Sequence, residues 1–301
     1  MKAIEVENLT KEYGEFTAVD HISFSAEKGQ LIGFLGVNGA GKSTTINMMS
    51  TLLSPTSGKI TICGHDTQKD SKTVREKIGI VYQNNVLDDL LTVQENLVTR
   101  GVIHGMHKRD ASEKLTELCG IFSLGELLKK KYHTLSGGQK RRCEIAAALM
   151  HTPEILILDE PTTGLDPAAR QEVWDMVTSL QAKAGMTVFL TTHYMEEASK
   201  ADHIIIINKG KIIAEGLPHE LKEAYASDKL KLYCDHKQKE ILMTMLNDQT
   251  LSPENYGICI KMRSTKEAVP ILNRIGTKYD SFEVIQGTLD DVFLDVTREA
   301  D

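Results

Sequence analysis

No long apolar run occurs in these 301 residues; the longest runs of branched aliphatic side chains are "IIII" at Ile204–Ile207 and "ILIL" at Ile155–Leu158. A helical span needs roughly 20 apolar residues, so the chain is not expected to cross a bilayer on its own. Cysteine is sparse. The five (Cys63, Cys119, Cys143, Cys234 and Cys259) are odd in number, scattered, and never form CxxC. That excludes a disulfide framework or a zinc site and fits free thiols in a reducing compartment. A basic excess is missing too: the net charge of −7 argues against a generalised nucleic-acid binder. The opening "MKAIEVENLTKEYG" has no apolar h-region, so no secretory leader is expected. Repeats and low-complexity segments are also lacking.

What is present is ordinary for a soluble globular protein, with 41% hydrophobic and 26% charged residues. The length suits one large domain or two smaller ones. "AIEVEN" and "ISFSAEKG" alternate as strands do, and "QLIGFLG" is a buried strand running into a glycine loop. "STTINMMSTLL" then has helical spacing, and "SGKITICGHD" and "KIGIVYQ" read as strands. From Thr92 to about Met150 the pattern is helical. Beyond it, "EILILDE", a helix from Pro167 to Lys183, "MTVFLTTH", "YMEEASKA" and "HIIIINKGKIIAEG" alternate strand with helix. Wholly apolar strands between helices imply a parallel sheet covered on both faces. After "EGLPHELK" a different pattern begins, read as strand and helix in alternation: a small α/β appendage. The expected division is residues 1–220 and 221–301, with a helical subdomain at about 84–150. "KKK" at Lys129–Lys131 reads as a solvated helix end. His104 and His107 in "HGMH" have no nearby acid or cysteine cluster to complete a metal shell.

"GVNGAGKST" (Gly36–Thr44) fits G-x-x-x-x-G-K-[ST] between a strand and a helix. Gly36, Gly39 and Gly41, with Asn38 and Ala40 between them, let successive N–H groups face a phosphate beside the positive end of the next helix. Lys42 would reach the β- and γ-phosphates, Ser43 would offer its hydroxyl to Mg²⁺, and Thr44 would contact the α-phosphate side. "EILILDE" is an aliphatic strand ending in two carboxylates. Asp159 suits the Mg²⁺ shell through a water, and Glu160 can polarise an attacking water. The alternative is an acidic pair that merely caps the next turn. "LSGGQ" (Leu135–Gln139) is no second phosphate loop of this kind, because no lysine follows its glycines. It still has the parts of an anion site: a cap-like Ser136, then Gly137 and Gly138 opening a helix. Plain helix capping is the competing reading.

In order and spacing, "GVNGAGKST", "YQ", "LSGGQ", "LILDEPTTGLD" and "TTH" closely resemble the ATP-binding cassette ATPases, over residues 1 to about 220. The resemblance implies an α/β fold: a P-loop nucleotide-binding domain with a helical subdomain, followed here by the α/β appendage. It also implies an ATPase using ATP and Mg²⁺, in which two cassettes sandwich two nucleotides head to tail. On that pattern Ser136, Gly137, Gly138 and Gln139 form the signature loop, which binds the γ-phosphate held by the other cassette. Tyr13 resembles the aromatic residue that stacks on adenine, and Gln83 the glutamine that touches Mg²⁺ and the attacking water. Asp166 in "TGLD" resembles the cross-dimer loop aspartate, and His193 the switch histidine at the γ-phosphate.

"QNNVLDDLLTVQENL" (Gln83–Leu97) resembles the region that receives a coupling helix from a membrane subunit. "GTLDDVFLDVTRE" resembles the C-terminal extension of the drug-exporter branch that includes daunorubicin- and bacitracin-resistance ATPases. It departs from the usual "P-T-L-E-D-V-F-L" string with Gly287 at the proline and Asp290 at the glutamate position. The basic residues after Gln139 fit the same branch. The resemblance thus implies multidrug export at the cytoplasmic face of the cell membrane, held there by a separate integral permease. The second cassette would be another copy of this chain or a paralogue, and no nucleic acid is expected as partner. The alternatives are an importer subunit or a soluble cassette ATPase acting on ribosomes or DNA. The two-cassette chains of ribosome-acting relatives and the coiled-coil or zinc insertions of DNA-repair relatives are not found here.

Overall fold

Two strand-forming stretches open the fold, β1 (Lys2–Tyr13) and β2 (Phe16–Glu27), followed by β3 (Leu31–Leu35), the glycine loop and α1 (Lys42–Met49). Next come β4 (Ser57–Ile62), β5 (His65–Asp66), α2 (Ser71–Lys77) and β6 (Ile78–Val81). A helical stretch holds α3 (Val93–Ile103), α4 (Lys108–Phe122) and α5 (Gly137–Ala148). The chain then runs through β7 (Ile155–Asp159), α6 (Pro167–Ala184), β8 (Thr187–Thr192), α7 (Met195–Ala198), β9 (His203–Asn208) and β10 (Lys211–Gly216). This computed structural model describes residues 1–299. The chain divides into two compact units, with the break between Glu215 and Gly216.

In the first unit, a six-stranded sheet has the order β10-β9-β3-β8-β7-β6. From β9 to β6 every neighbouring pair is parallel. Strands β3, β7 and β8 are buried along their whole length, as strands covered on both faces must be. One of those covers is another sheet. Strands β2-β1-β4-β5 form an antiparallel sheet whose Ile4, Val6, Leu9, Phe24, Ile60 and Ile62 share one core with Ile32, Phe34, Ile157 and Phe189 of the parallel sheet. Phe24, Phe34 and Phe189 meet at its centre, with ring centroids 5.3–5.8 Å apart. Ile46, Met48 and Met49 of α1 belong to the same core, so the helix after the glycine loop is anchored by burial. Because the strands are parallel, their C-terminal ends lie along one edge, where ligands bind in open α/β sheets. Along it, β3, β8, β7 and β6 lead in turn into Gly36, His193, Glu160 and Gln83.

The second unit contains α8 (Pro218–Tyr225), β11 (Asp228–Tyr233), α9 (His236–Met245), β12 (Leu251–Glu254), β13 (Gly257–Met262), α10 (Ala268–Ile275), β14 (Ser281–Ile285) and α11 (Leu289–Glu299). Its sheet order is β12-β13-β11-β14, with every pair antiparallel. From β11 to β14 this is a βαββαβ unit of the ferredoxin-like kind. Strict strand–helix alternation fails at the β12–β13 hairpin, because Pro253 hides β12 from a strand pattern. The proline is tolerated because β12 is an edge strand. Leu230, Leu232, Ile258 and Ile260 of the sheet and Leu242, Ile271 and Ile275 of α9 and α10 make a separate core.

Candidate nucleotide site

The glycine loop reaches α1 through Gly41, whose φ of +112° lies in the left-handed region. A side chain there would also bring a Cβ within 2.7 Å of the Ala18 carbonyl. Only glycine suits both demands. The N-terminus of α1 has no side-chain cap and no acid in its first turn, so its N–H groups face outward as an anion site does. Lys42 is buried, and its Nζ donates to the Gly36 and Val37 carbonyls at 2.7 and 3.2 Å. The same Nζ lies 3.4 Å from Glu160 Oε1. An open cleft of about 400 Å³ surrounds this point, lined among others by Tyr13, Asn38, Lys42, Thr44, Gln83 and Glu160. That volume falls within the ~300–1,000 Å³ typical of small-molecule sites.

Both acids at the end of β7 are buried, and one threonine bonds the Asp159 carboxylate and the Glu160 backbone. Thr191 Oγ1 donates to Asp159 Oδ1 at 2.7 Å and accepts from the Glu160 N–H at 3.0 Å. Glu160 has φ +45°, uncommon for a residue with a side chain. Its Oε2 accepts from Thr163 Oγ1 at 3.1 Å and lies 3.2 Å from His193 Nδ1. On the other side, Ser43 Oγ donates to Asp159 Oδ2 at 3.4 Å. Ser43 lines the cleft together with Gln83, and its hydroxyl with the Asp159 carboxylate behind it offers oxygen ligands of the kind Mg²⁺ prefers.

Tyr13 and Phe16 face each other across the β1–β2 turn, 51% and 63% exposed. Both line the cleft, although the sequence reading named only Tyr13. Phe16 could have been found from the "EYGEF" turn itself, since a two-residue hairpin places the flanking aromatics opposite one another. Thr191 and Glu197 also escaped that reading. The buried Glu197 carboxylate accepts from Thr162 and Thr192, joining the loop that leads to Asp166 to the strand end that leads to His193.

The signature residues stand elsewhere. Ser136 is the N-cap of α5: its Oγ accepts from the Gln139 N–H, and Gln139 Oε1 accepts from the Ser136 N–H. Asp166 caps α6, accepting from the Ala169 N–H at 3.0 Å. These two helix starts are neighbours, since a Cβ on Gly138 would come 2.9 Å from Ala169 Cβ. Neither Ser136–Gln139 nor Asp166 lines the cleft around Lys42.

Comparison with known proteins points to one family. The family model described as ABC transporter matches residues 19–163. The daunorubicin/doxorubicin resistance ATP-binding protein DrrA of Streptomyces peucetius is 40% identical, over 98% of this chain and 92% of its own. The linearmycin resistance ATP-binding protein LnrL of Bacillus subtilis is 38% identical, over 98% of both chains. Among solved structures, a dimeric post-hydrolysis ATP-binding cassette bound to ADP and Pi superposes with a TM-score of 0.65 at 29% identity, covering 71% of this chain and 98% of that one. The glycine loop at the end of β3, the acid pair at the end of β7 and this chain-long kinship together place the protein in the ATP-binding cassette family of ABC transporters, related to the drug-resistance ATP-binding subunits of the DrrA type.

Proposed function

We propose that this chain is the ATP-hydrolysing subunit of a membrane exporter, working as one half of a cassette dimer on a separate permease. The observation that carries the exporter reading is the extent of the likeness. Resistance ATP-binding proteins align along 98% of the chain, beyond the cassette and through the C-terminal unit. No described helix is long and apolar enough to cross a membrane, and the proposal assigns the transport path to the permease.

Phosphoryl transfer asks a protein mainly for positioning and charge stabilisation. The uncapped N-terminus of α1 and Lys42 receive the phosphates, and Tyr13 and Phe16 offer aromatic faces to the base. Ser43 and Asp159 would hold Mg²⁺, which when bound with ATP would neutralise phosphate charge. Glu160, with its N–H held by Thr191 and its carboxylate meeting Thr163 and His193, would accept a proton from the attacking water, and Gln83 lines the same cleft. Ser136, Gly137, Gly138, Gln139 and Asp166 lie off this cleft, which supports a role at the nucleotide of a second cassette. Binding of ATP would then close two chains and hydrolysis would reopen them, a two-state element biased by its ligand.

One experiment tests the proposal. The Glu160→Gln chain, expressed in its host and taken from detergent-solubilised membranes, should bind MgATP and form an ATP-stabilised dimer. Turnover should fall at least about 100-fold, the low end for loss of a general base. A polytopic membrane chain should co-purify with it. Wild-type turnover would remove Glu160 from the proposed chemistry. Migration with ribosomes and no membrane chain would overturn the exporter role.

A further inference from the structure

Gln83 reaches into the Lys42 cleft, but its backbone is held from another direction. Strand β6 ends at Val81, and the chain from Tyr82 to Leu87 has no strand partner. Two buried charged residues of α5 take its place. Arg141, 5% exposed, donates from Nη1 to the Tyr82 carbonyl at 2.7 Å and from Nη2 to the Gln83 carbonyl at 3.1 Å. Glu144, 3% exposed, accepts through Oε1 from the Val86 and Leu87 N–H groups at 2.9 and 3.2 Å, and from the Tyr132 hydroxyl at 2.8 Å. Three residues apart, the two side chains project from one face of the helix. A buried guanidinium or carboxylate is costly unless its hydrogen bonds are made, and here backbone groups of one short loop make most of them. The next stretch is fastened to α3: the Asp88 N–H donates to Asn96 Oδ1, and Asn96 Nδ2 donates back to the Asp88 carbonyl.

The helix that holds this loop begins at Gly137, with Ser136 as its cap. We infer that Arg141 and Glu144 are positioning residues that lock the Gln83 loop to the signature helix, so that whatever seats Ser136 and Gly137 against a second chain's nucleotide also sets where Gln83 enters this chain's own cleft. The inference rests on the proposed roles of Gln83 and of the signature loop. It adds a rigid path between them, through side chains that touch neither nucleotide.

The test is a double-mutant comparison in the full chain, read by steady-state ATP hydrolysis and by binding of a fluorescent ATP analogue. Arg141→Met should lower kcat by about 10-fold with KM and nucleotide affinity within about 3-fold, the split expected when an interaction serves the transition state more than binding. Arg141→Lys, with one point donor in place of the fork, should recover part of the loss. The discriminating variant is Arg141→Met combined with Gln83→Ala. If Arg141 acts through Gln83, the double variant is no slower than Gln83→Ala alone; if the two losses multiply, the inference fails. Wild-type turnover in Arg141→Met beside a slow Gln83→Ala overturns the inference alone. Wild-type turnover in Gln83→Ala overturns the proposed cleft chemistry and this inference with it. Should Arg141→Met not fold, Arg141→Lys carries the same comparison, and unchanged kcat in that variant counts against the inference.

Discussion

Thr191 shows how much one residue of the site does: its hydroxyl bonds the Asp159 carboxylate, and its hydroxyl and carbonyl both accept from the Glu160 N–H. At the same scale, a histidine pair makes stability depend on pH. His104 and His151 stack with ring centroids 3.9 Å apart and planes 3° from parallel, and His151 Nε2 contacts the Ile78 carbonyl. Burial first, and the facing His104 second, push His151 down to about 4 from the usual 6.5. Burial also lowers His104. A histidine held neutral in the fold but free to protonate when unfolded contributes its full stability above pH 6.5, and that contribution is lost as pH falls through 4. Thermal melts should therefore show a loss of about 1–2 kcal/mol across this window, less than full linkage because the ring is partly exposed. In His151→Gln the window should flatten; an unchanged slope would assign the acid sensitivity to other groups.

At the scale of elements, α1 and α5 are both glycine-rich helix starts, and their ends differ. The N-terminus of α1 is left without a side-chain cap, inside the cleft. That of α5 is closed by the reciprocal Ser136–Gln139 bonds and is exposed. Loss of such a cap costs about 1 kcal/mol, which for a unit the size of Met1–Glu215 lowers Tm by roughly 2–4 °C. If Ser136 only caps, Ser136→Ala should show that shift and normal hydrolysis. We expect more: kcat reduced at least about 10-fold with ATP binding kept, as for removal of a donor that stabilises transition-state charge. Normal turnover at chain concentrations that favour dimers would return the loop to plain capping.

For the molecule as a whole, the proposal is that each nucleotide is shared between the glycine loop of one chain and the signature loop of another. A symmetric pair then has two composite sites, and complementation follows from counting. Lys42→Ala and Gly137→Asp should each be inactive alone. Mixed in equal amounts, half the dimers should pair the two variants, and each such dimer holds one intact site, restoring about a quarter of wild-type hydrolysis. No recovery on mixing, in variants that still dimerise, would mean that the sites are not shared.

The α/β fold class and the helical stretch between β6 and β7 were legible in the sequence because they are local. A buried apolar strand, a glycine turn and a helix start are each written within about ten neighbouring residues. Asp159 and Glu160 could be named for the same reason, as the polar end of an aliphatic run. Three things were not legible, because they depend on which distant segments meet. The antiparallel sheet packed on the parallel one joins Phe24 to Phe189 across most of the first unit. Pro253 disguised an edge strand whose tolerance of proline comes only from its place in the second sheet. In "QKRRCEIA", Arg141 and Glu144 look like the polar face of a surface helix. Their burial was decided by the loop folded over them, whose backbone carbonyl and N–H groups those charges satisfy. Sequence alone determined which chemical groups stand at each strand end and helix start. Tertiary structure decided their company, because strand order and buried hydrogen-bond partners are set by packing between residues far apart in the chain.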